Sequence, residues 1–249
     1  MPLPPTFEAR LMGARGLSPN VRELAFERLD EHAMTFEPGQ WLNVLLPGSI
    51  AEESDLKRSY SIASPPDGTA RFEIAVTRVQ GGPASTWLHA VEVGTVLSFV
   101  GPQGFFTRPA VGGPPALMIA TGTGVTPMRS MIRAAISAGS AGSLAPMWLL
   151  LGVRREADLL YADEFGRLAG SHSVIRFEPT LSQPEQSWLK RRGYVQAHVR
   201  ELWQELTASC GAAPHAYVCG LQRMVGSVRE LLRKGMGLPR EQVHSERYD

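Results

Sequence analysis

Cysteine is scarce in this chain of 249 residues, since only Cys210 and Cys219 occur. The two are not spaced as a C-x-x-C pair, and His215 between them is not joined by a fourth ligand at a recognised spacing. An iron–sulfur cluster held by four cysteines of this chain is therefore excluded, and a structural zinc or other metal site is not expected. Free cysteines also fit a reducing compartment.

Net charge and long apolar runs are lacking as well. The formal net charge is +1, so no overall field favours nucleic acid or an anionic membrane. The longest apolar run, around residues 147–153, is far too short to span a bilayer, and the first residues lack the basic and apolar segments of a signal peptide. We therefore expect a cytoplasmic, globular protein with no membrane insertion and no nucleic-acid partner.

The clearest local pattern lies at residues 116–138. A short apolar run is followed by Gly122 and Gly124, and then by apolar residues at helical spacing. We expect Thr126 to cap this helix and Pro127 to lie in its first turn. Such a glycine turn lets backbone amides approach a phosphate. However, Pro127 replaces the third glycine of G-x-G-x-x-G, so an ordinary strand–helix connection remains the alternative.

The first half of the chain has the alternation of short antiparallel strands. It predicts a β-barrel or sandwich, with one short helix at residues 85–91 capped by Ser85. The turn-rich segment 101–115 contains the expected domain boundary. Expected strands are residues 7–12, 21–26, 41–46, 58–63, 71–77 and 96–100.

Two places in this half suit a ligand that is anionic at one end and flat at the other. Arg58 and Tyr60 share one face of a predicted strand, where arginine can clamp a phosphate and tyrosine can stack on a ring. Gly81 and Gly82 form a second glycine turn before a helix. A surface strand and an ordinary turn are the alternatives.

The second half alternates apolar strands with amphipathic helices, which predicts a parallel sheet covered on both faces. In such sheets ligands bind at the carboxyl ends of the strands. Gly122, Arg154, Thr180 and Gly220 all follow predicted strands and are expected at that edge. Expected helices after the first are residues 157–168, 197–206 and 222–234.

The ordered motifs together resemble the ferredoxin–NADP reductase superfamily of flavoproteins. They are Pro38-Gly-Gln40, Arg58-x-Tyr-Ser-x-x-Ser64, Gly81-Gly-x-x-Ser85, Gly101-Pro-x-Gly-x-Phe106, Thr121-Gly-Thr-Gly-Val-Thr-Pro127 and Tyr217-Val-Cys-Gly220. The resemblance implies two domains: an antiparallel β-barrel that binds FAD, residues 1–112, followed by an α/β parallel-sheet domain that binds NAD(P), residues 113–249.

The resemblance also implies roles for individual residues. Arg58 would clamp the FAD pyrophosphate, Tyr60 would stack on the isoalloxazine and Ser61 would approach flavin N5. Cys219 would lie beside the nicotinamide C4, and Glu246 and Tyr248 would lie at the flavin, with Tyr248 covering its open face. The expected catalytic residues are Ser61, Cys219 and Glu246. The expected cofactor-binding residues are Arg58, Ser59, Tyr60, Ser61, Ile74, Val76, Gly81, Gly82, Ser85, Gly122, Thr123, Gly124, Thr126, Pro127, Arg154, Cys219, Gly220 and Tyr248.

Nucleotide preference depends on the basic residues available to a 2′-phosphate. NADP-preferring relatives carry Ser-Arg-Glu where this chain has Ser182-Gln-Pro184, which slightly favours NADH. Lys190, Arg191 and Arg192 before Tyr194-x-Gln196, or Arg154 and Arg155, are the alternative contacts.

The expected activity is hydride transfer from NAD(P)H to FAD N5, followed by single-electron transfer to a separate ferredoxin, flavodoxin or cytochrome. Two other functions remain open: a flavin or ferric reductase that acts on a small acceptor, and a non-catalytic subunit that senses flavin or nucleotide.

Overall fold

The computed structural model describes residues 4–46, 57–139 and 144–248. The first of two sheets within these residues has six antiparallel strands in the order β4-β3-β6-β1-β2-β5. A bridge between Ile62 and Ile74 joins the two edges, which closes the sheet into a barrel. The strands are β1 (Thr6–Ser18), β2 (Val21–Arg28), β3 (Trp41–Leu45), β4 (Lys57–Ser61), β5 (Arg71–Thr77) and β6 (Val96–Gln103).

Aromatic packing fills the barrel. Phe7, Phe26, Phe72 and Phe99 are buried, and the ring centroids of the contacting pairs lie 5.0–5.9 Å apart. They come from four different strands. Each points into the barrel, because alternate residues of a strand lie on the same side of the sheet. The helix α1 (Pro83–Ala90) lies against this core through Ala84 and Leu88.

The second sheet also has six strands, and all of its pairs are parallel, in the order β10-β9-β8-β7-β11-β12. Helices cover both faces, each over its own apolar core. This confirms the predicted combination of an antiparallel barrel and an α/β domain. The strands are β7 (Ala116–Thr121), β8 (Met147–Val153), β9 (Ile175–Leu181), β10 (Arg191–Arg192), β11 (His215–Leu221) and β12 (Val243–Tyr248). The helices are α2 (Val125–Ala138), α3 (Ala162–Ser171), α4 (Val199–Ser209) and α5 (Gln222–Glu230).

The start of α2 differs from the prediction. A 3-10 turn, Gly122–Gly124, leads directly into the helix, so Gly124 rather than Thr126 precedes its first residue. The Thr126 hydroxyl instead donates a hydrogen bond to the Thr123 carbonyl at 2.8 Å. Pro127 does lie in the first turn, where its missing N–H leaves no bond unmade.

Ser85 does not cap α1, because the helix begins two residues earlier, at Pro83. Its buried hydroxyl accepts a hydrogen bond from the Val79 N–H at 3.0 Å and donates one to the Gly82 carbonyl at 3.1 Å. Ser85 therefore stabilises the turn that precedes the helix.

The helix expected at residues 157–168 is broken. A 3-10 turn covers Glu156–Asp158, and α3 begins only at Ala162, after Tyr161 with φ of 56°. The Tyr161 ring is buried beside Phe165, with ring centroids 6.3 Å apart. Tertiary packing of this aromatic ring accompanies a backbone conformation that helical periodicity does not reveal.

Candidate active site

Residues from both domains converge where β12 meets the end of β4. The Tyr248 hydroxyl donates to Ser61 Oγ at 2.6 Å, and Ser61 Oγ donates to Glu246 Oε1 at 3.1 Å. Thr126 Oγ1 lies 3.4 Å from the Tyr248 hydroxyl oxygen. The structure thus brings together four expected site residues that are separated by up to 187 positions in sequence.

Strand pairing explains this convergence. β11 and β12 run parallel with Cys219 opposite Glu246 and Leu221 opposite Tyr248. The carboxyl ends of these strands therefore lie at the same edge of the sheet, which faces the barrel at Ser61. Cys219 is fully buried at the same place.

Burial controls the protonation of this group. It raises the pKa of Glu246 to about 7, against the opposing effect of the hydrogen bond from Ser61. It also raises the pKa of the Tyr248 hydroxyl and the Cys219 thiol well above their usual ranges. Cys219 is thus a neutral, compact thiol near pH 7, and Glu246 is the group that titrates there.

The three glycines of the motifs after β7 and in β11 differ in the space around them. Gly122 has φ of 53° and open space where a Cβ would lie, so its backbone is accessible to a ligand. A Cβ on Gly124 would lie 2.3 Å from the Cys219 carbonyl oxygen, and one on Gly220 would lie 2.3 Å from Thr121 Oγ1. Gly124 and Gly220 therefore allow close packing of the protein on itself, and their predicted role in ligand approach stays a prediction about their backbone atoms. Thr123 Oγ1 lies 3.2 Å from Thr77 Oγ1 of the barrel.

Strand β4 presents polar groups at its surface. Arg58 is exposed, and its Nη1 donates only to the adjacent Lys57 carbonyl at 2.8 Å among the described residues. Ser59 is also exposed, and its hydroxyl donates to Asn43 Oδ1 at 2.9 Å. Tyr60 is half-buried, and burial raises its pKa to about 12. A guanidinium and a phenol ring are thus presented side by side.

The start of α1 fits an anion through its backbone. Gly81 has φ of 74° with open space at its Cβ position, and Gly82 precedes the helix without a side-chain cap. The amides of the first turn are left for a ligand. Because the Ser85 hydroxyl bonds the preceding turn, the amides rather than this hydroxyl face such an anion.

Two of the expected cofactor-binding residues have buried side chains. Ile74 and Val76 are fully enclosed in the barrel core. Because alternate residues of β5 face inward, the predicted contact of these two residues with a cofactor would be made by the β5 backbone.

Two of the basic residues near β9 already have partners within the protein. Arg191 Nε donates to Glu178 at 2.8 Å, and its Nη1 donates to Glu201 at 2.9 Å. Arg192 Nη2 donates to three backbone carbonyls, including that of Trp188 at 2.6 Å. These two arginines are therefore engaged within the protein. Arg154 and Arg155 are exposed just beyond β8 and lie at the predicted edge.

Sequence reasoning missed Arg129. Helical spacing puts Arg129 and Ser130 on the face of α2 opposite its apolar residues, yet both are buried against the barrel. The only sign in the sequence is that Arg129 lies within a largely apolar helix. That sign does not identify the residues to which Arg129 binds.

Within the described residues, no three His, Cys, Asp or Glu side chains come together as ligands for a metal ion. No helix in these parts of the chain is both long and apolar enough to cross a membrane.

Two family models match the two halves. An oxidoreductase FAD-binding domain matches residues 8–107, and an oxidoreductase NAD-binding domain matches residues 118–230. The exposed Arg58, the uncapped α1 and the open Gly122 turn fit these two cofactors. The chain therefore binds FAD and NAD(P).

Full-length similarity identifies the family. The chain is 54% identical over 244 residues to ferredoxin–NADP reductase B of Sorangium cellulosum, with 98% of each chain covered. It is 28% identical to the phenol hydroxylase P5 protein of Acinetobacter pittii, but spans only 65% of that protein. The crystal structure of a cytochrome P450 reductase from Amycolatopsis matches with a TM-score of 0.80 at 26% identity, over 98% of this chain and 70% of the other. The chain belongs to the ferredoxin–NADP reductase family and is an FAD-dependent NAD(P)H oxidoreductase.

Proposed function

We propose that this reductase passes electrons from NAD(P)H, through FAD, to a separate one-electron acceptor protein: a ferredoxin, a flavodoxin or a cytochrome. The observation that carries the proposal is the convergence of Ser61, Glu246 and Tyr248 between the two domains. When bound, FAD accepts a hydride and can return its electrons singly. The two cysteines of this chain are too few to ligate a ferredoxin-type cluster, which supports an acceptor centre outside it.

In this proposal the protein positions the cofactors and controls protons. Arg58 and the first turn of α1 hold the anionic part of FAD, and Tyr60 supports its ring. The Gly122 turn holds the nucleotide phosphate, and Cys219 leaves room for the nicotinamide. Glu246, whose pKa is about 7 and which accepts a hydrogen bond from Ser61 Oγ, would hold or release a proton near neutral pH. We place the boundary between the FAD-binding and NAD(P)-binding domains between residues 112 and 113, within the segment that separates β6 from β7.

Nucleotide preference depends in this proposal on Arg154 and Arg155. Arg191 already pairs with Glu178 and Glu201, and a 2′-phosphate would have to compete with both carboxylates. Arg154→Ala should therefore raise the KM for NADPH more than that for NADH, whereas Arg191→Ala should mainly lower stability. Equal effects of Arg154→Ala on both KM values would contradict this assignment.

The acceptor is tested with purified holoenzyme. Anaerobic NADH and NADPH titrations, followed by flavin absorbance, measure reduction. The reduced protein is then mixed with a ferredoxin, a flavodoxin, cytochrome c, free FMN or a ferric chelate. Faster transfer to one of the three proteins than to FMN or the chelate is expected. The reverse order would favour a flavin or ferric reductase, and a flavin reduced by neither nucleotide would favour a non-catalytic subunit.

A further inference from the structure

The polar face of α2 forms part of the contact between the two domains. The Arg129 side chain is only 4% exposed, and Ser130 is fully buried. Their partners on the barrel include the backbone of Ala63 and Ser64. This short segment directly follows Ser61 and Ile62, so the contact lies beside the active site.

One guanidinium bonds to both domains. Arg129 Nη1 donates to the Ala63 carbonyl at 3.0 Å and to Glu73 Oε2 at 2.5 Å, both on the barrel. Its Nε donates to Glu164 Oε2 of α3 at 2.9 Å. The guanidinium also lies 4.4 Å from the centroid of the Tyr161 ring. Arginine suits this place because its planar fork presents donors in several fixed directions, which the compact ammonium of lysine does not.

The segment after Ser61 is held from two sides. On the barrel side, the Ala63 N–H donates to the Glu73 carbonyl at 2.7 Å, and the Glu73 N–H donates to Ser64 Oγ at 3.1 Å. On the α2 side, Ser130 Oγ donates to the Ser64 carbonyl at 2.7 Å. The backbone here has little freedom to shift unless the contact between domains shifts with it.

Three carboxylates surround the positively charged Arg129 guanidinium. Glu73 and Glu164 bind it directly, and Glu23 Oε2, on a side chain that is 6% exposed, lies 3.9 Å from its Nη1. Removing the cation would leave three carboxylates facing each other across the domain contact, with Arg15 bound to Glu23 at the periphery. Repulsion and desolvation would then favour separation of α2 from the barrel.

The contact between Arg129 and Ala63 links two segments that both carry active-site residues. Arg129 follows Thr126 by one helical turn, and the Thr126 hydroxyl oxygen lies 3.4 Å from that of Tyr248. Ala63 follows Ser61 by two residues, and Ser61 Oγ lies 2.6 Å from the Tyr248 hydroxyl oxygen. The link therefore relates the start of α2, where the nucleotide turn ends, to the end of β4.

We propose that Arg129 is a positioning residue for hydride transfer: by binding Ala63 and Glu73 of the barrel, it sets the place of the nucleotide turn relative to Ser61. The inference rests on the proposed assignment of Ser61 to the flavin and of the Gly122 turn to the nucleotide. It concerns flavin reduction only and is independent of the electron acceptor.

The test compares Arg129→Met and Arg129→Lys with Arg133→Met. Arg133 is a matched control, since it lies one turn further along α2 and its Nε is 3.6 Å from Glu164 Oε1, but its side chain is 37% exposed. For each holoenzyme we would measure flavin reduction by stopped flow, the Kd of NADP+ and NAD+, long-wavelength charge-transfer absorbance, and hydrogen exchange at the Ala63 amide.

A misplacement of about 1 Å can slow a positioned reaction about a hundredfold. We expect Arg129→Met to slow flavin reduction by about that factor at saturating nucleotide, with nucleotide Kd changed less than about threefold. Charge-transfer absorbance should weaken and exchange at Ala63 should accelerate. Arg129→Lys should lie between Met and the parent, and Arg133→Met should match the parent within about twofold.

An unchanged rate of reduction per bound flavin in Arg129→Met, with only a lower Tm, would overturn the proposal and leave Arg129 a stabilising residue. If Arg129→Met does not fold or retain FAD, Ser130→Ala decides. It removes only the bond to Ser64 and should slow reduction severalfold, and a parental rate in Ser130→Ala would overturn the proposal. A parent protein reduced by neither NADH nor NADPH would instead contradict the proposed function, so the two failures are distinct.

Discussion

In the proposed function the nicotinamide ring binds beside Cys219, and the Tyr248 side chain lies against that thiol. The ring of Tyr248 is largely buried, its hydroxyl donates to Ser61 Oγ at 2.6 Å, and Cys219 beneath it is fully buried. Nucleotide binding in the hydride-transfer geometry therefore requires this side chain to move. The free energy that holds Tyr248 in place must then oppose nucleotide binding.

Two substitutions separate the parts of that free energy. Tyr248→Phe removes the bond to Ser61, about 1 kcal/mol, and should strengthen binding of oxidised nucleotide about fivefold. Tyr248→Ser also removes the ring, whose burial contributes roughly 1.5–3 kcal/mol more, and should strengthen binding on the order of a hundredfold. Turnover of the Ser variant should slow, because tightly held product leaves slowly.

The assay is an anaerobic titration of the oxidised holoenzyme with NADP+ and with NAD+, followed by flavin difference absorbance. Arg247→Ser is the matched control, since Arg247 is the exposed neighbour of Tyr248 on β12. A Tyr248→Ser variant with the parent's Kd would refute the reasoning, because the ring would then not occupy the nucleotide's place. Equal effects of Phe and Ser would show that the hydroxyl, not the ring, is the obstacle.

Three further predictions follow from single contacts. Arg58→Ala should weaken FAD binding by roughly 1.5–3 kcal/mol, measured by titrating apoprotein, and an unchanged Kd would make Arg58 an ordinary surface residue. Gly124→Ala should lower Tm by about 4–10 °C, because its Cβ would meet the Cys219 carbonyl oxygen at 2.3 Å. Gly122→Ala has open space and should lower it less, so equal shifts would contradict this. Folding raises the pKa of Glu246 from 4.5 to about 7, so its stabilising contribution is present below pH 4.5 and lost as pH rises through 7. Glu246→Gln should remove that step from the Tm profile, and parallel profiles would refute the assignment.

Much of the fold follows from local pattern. Period-two alternation predicts the strands of the barrel, and apolar runs alternating with helical spacing predict the parallel sheet. The glycine turn before α2 and the pairing of Arg58 with Tyr60 on one strand face are also local, and the structure places them as expected. Such patterns work because a side chain's direction depends mainly on the backbone geometry of its own element.

The position of the polar groups between domains could not be predicted in this way. Arg129 has the spacing of a solvent-facing residue, but the barrel covers it, and its partners Ala63 and Glu73 lie 66 and 56 positions away. Arg191 lies in a basic run that suits a phosphate contact, but Glu178 and Glu201 already bind its guanidinium. In both cases the partner is decided by strand order and domain packing rather than by neighbouring residues.

The sequence by itself therefore determined the class of each domain, the cofactor motifs and the family to which they point. Only the tertiary structure decided that Gly124 serves packing while Gly122 remains open, and that Ser61 and Tyr248 meet in one hydrogen bond. The physical reason is range: periodicity and turn chemistry act over a few residues, whereas steric fit and the pairing of buried charges depend on which distant segments are brought together.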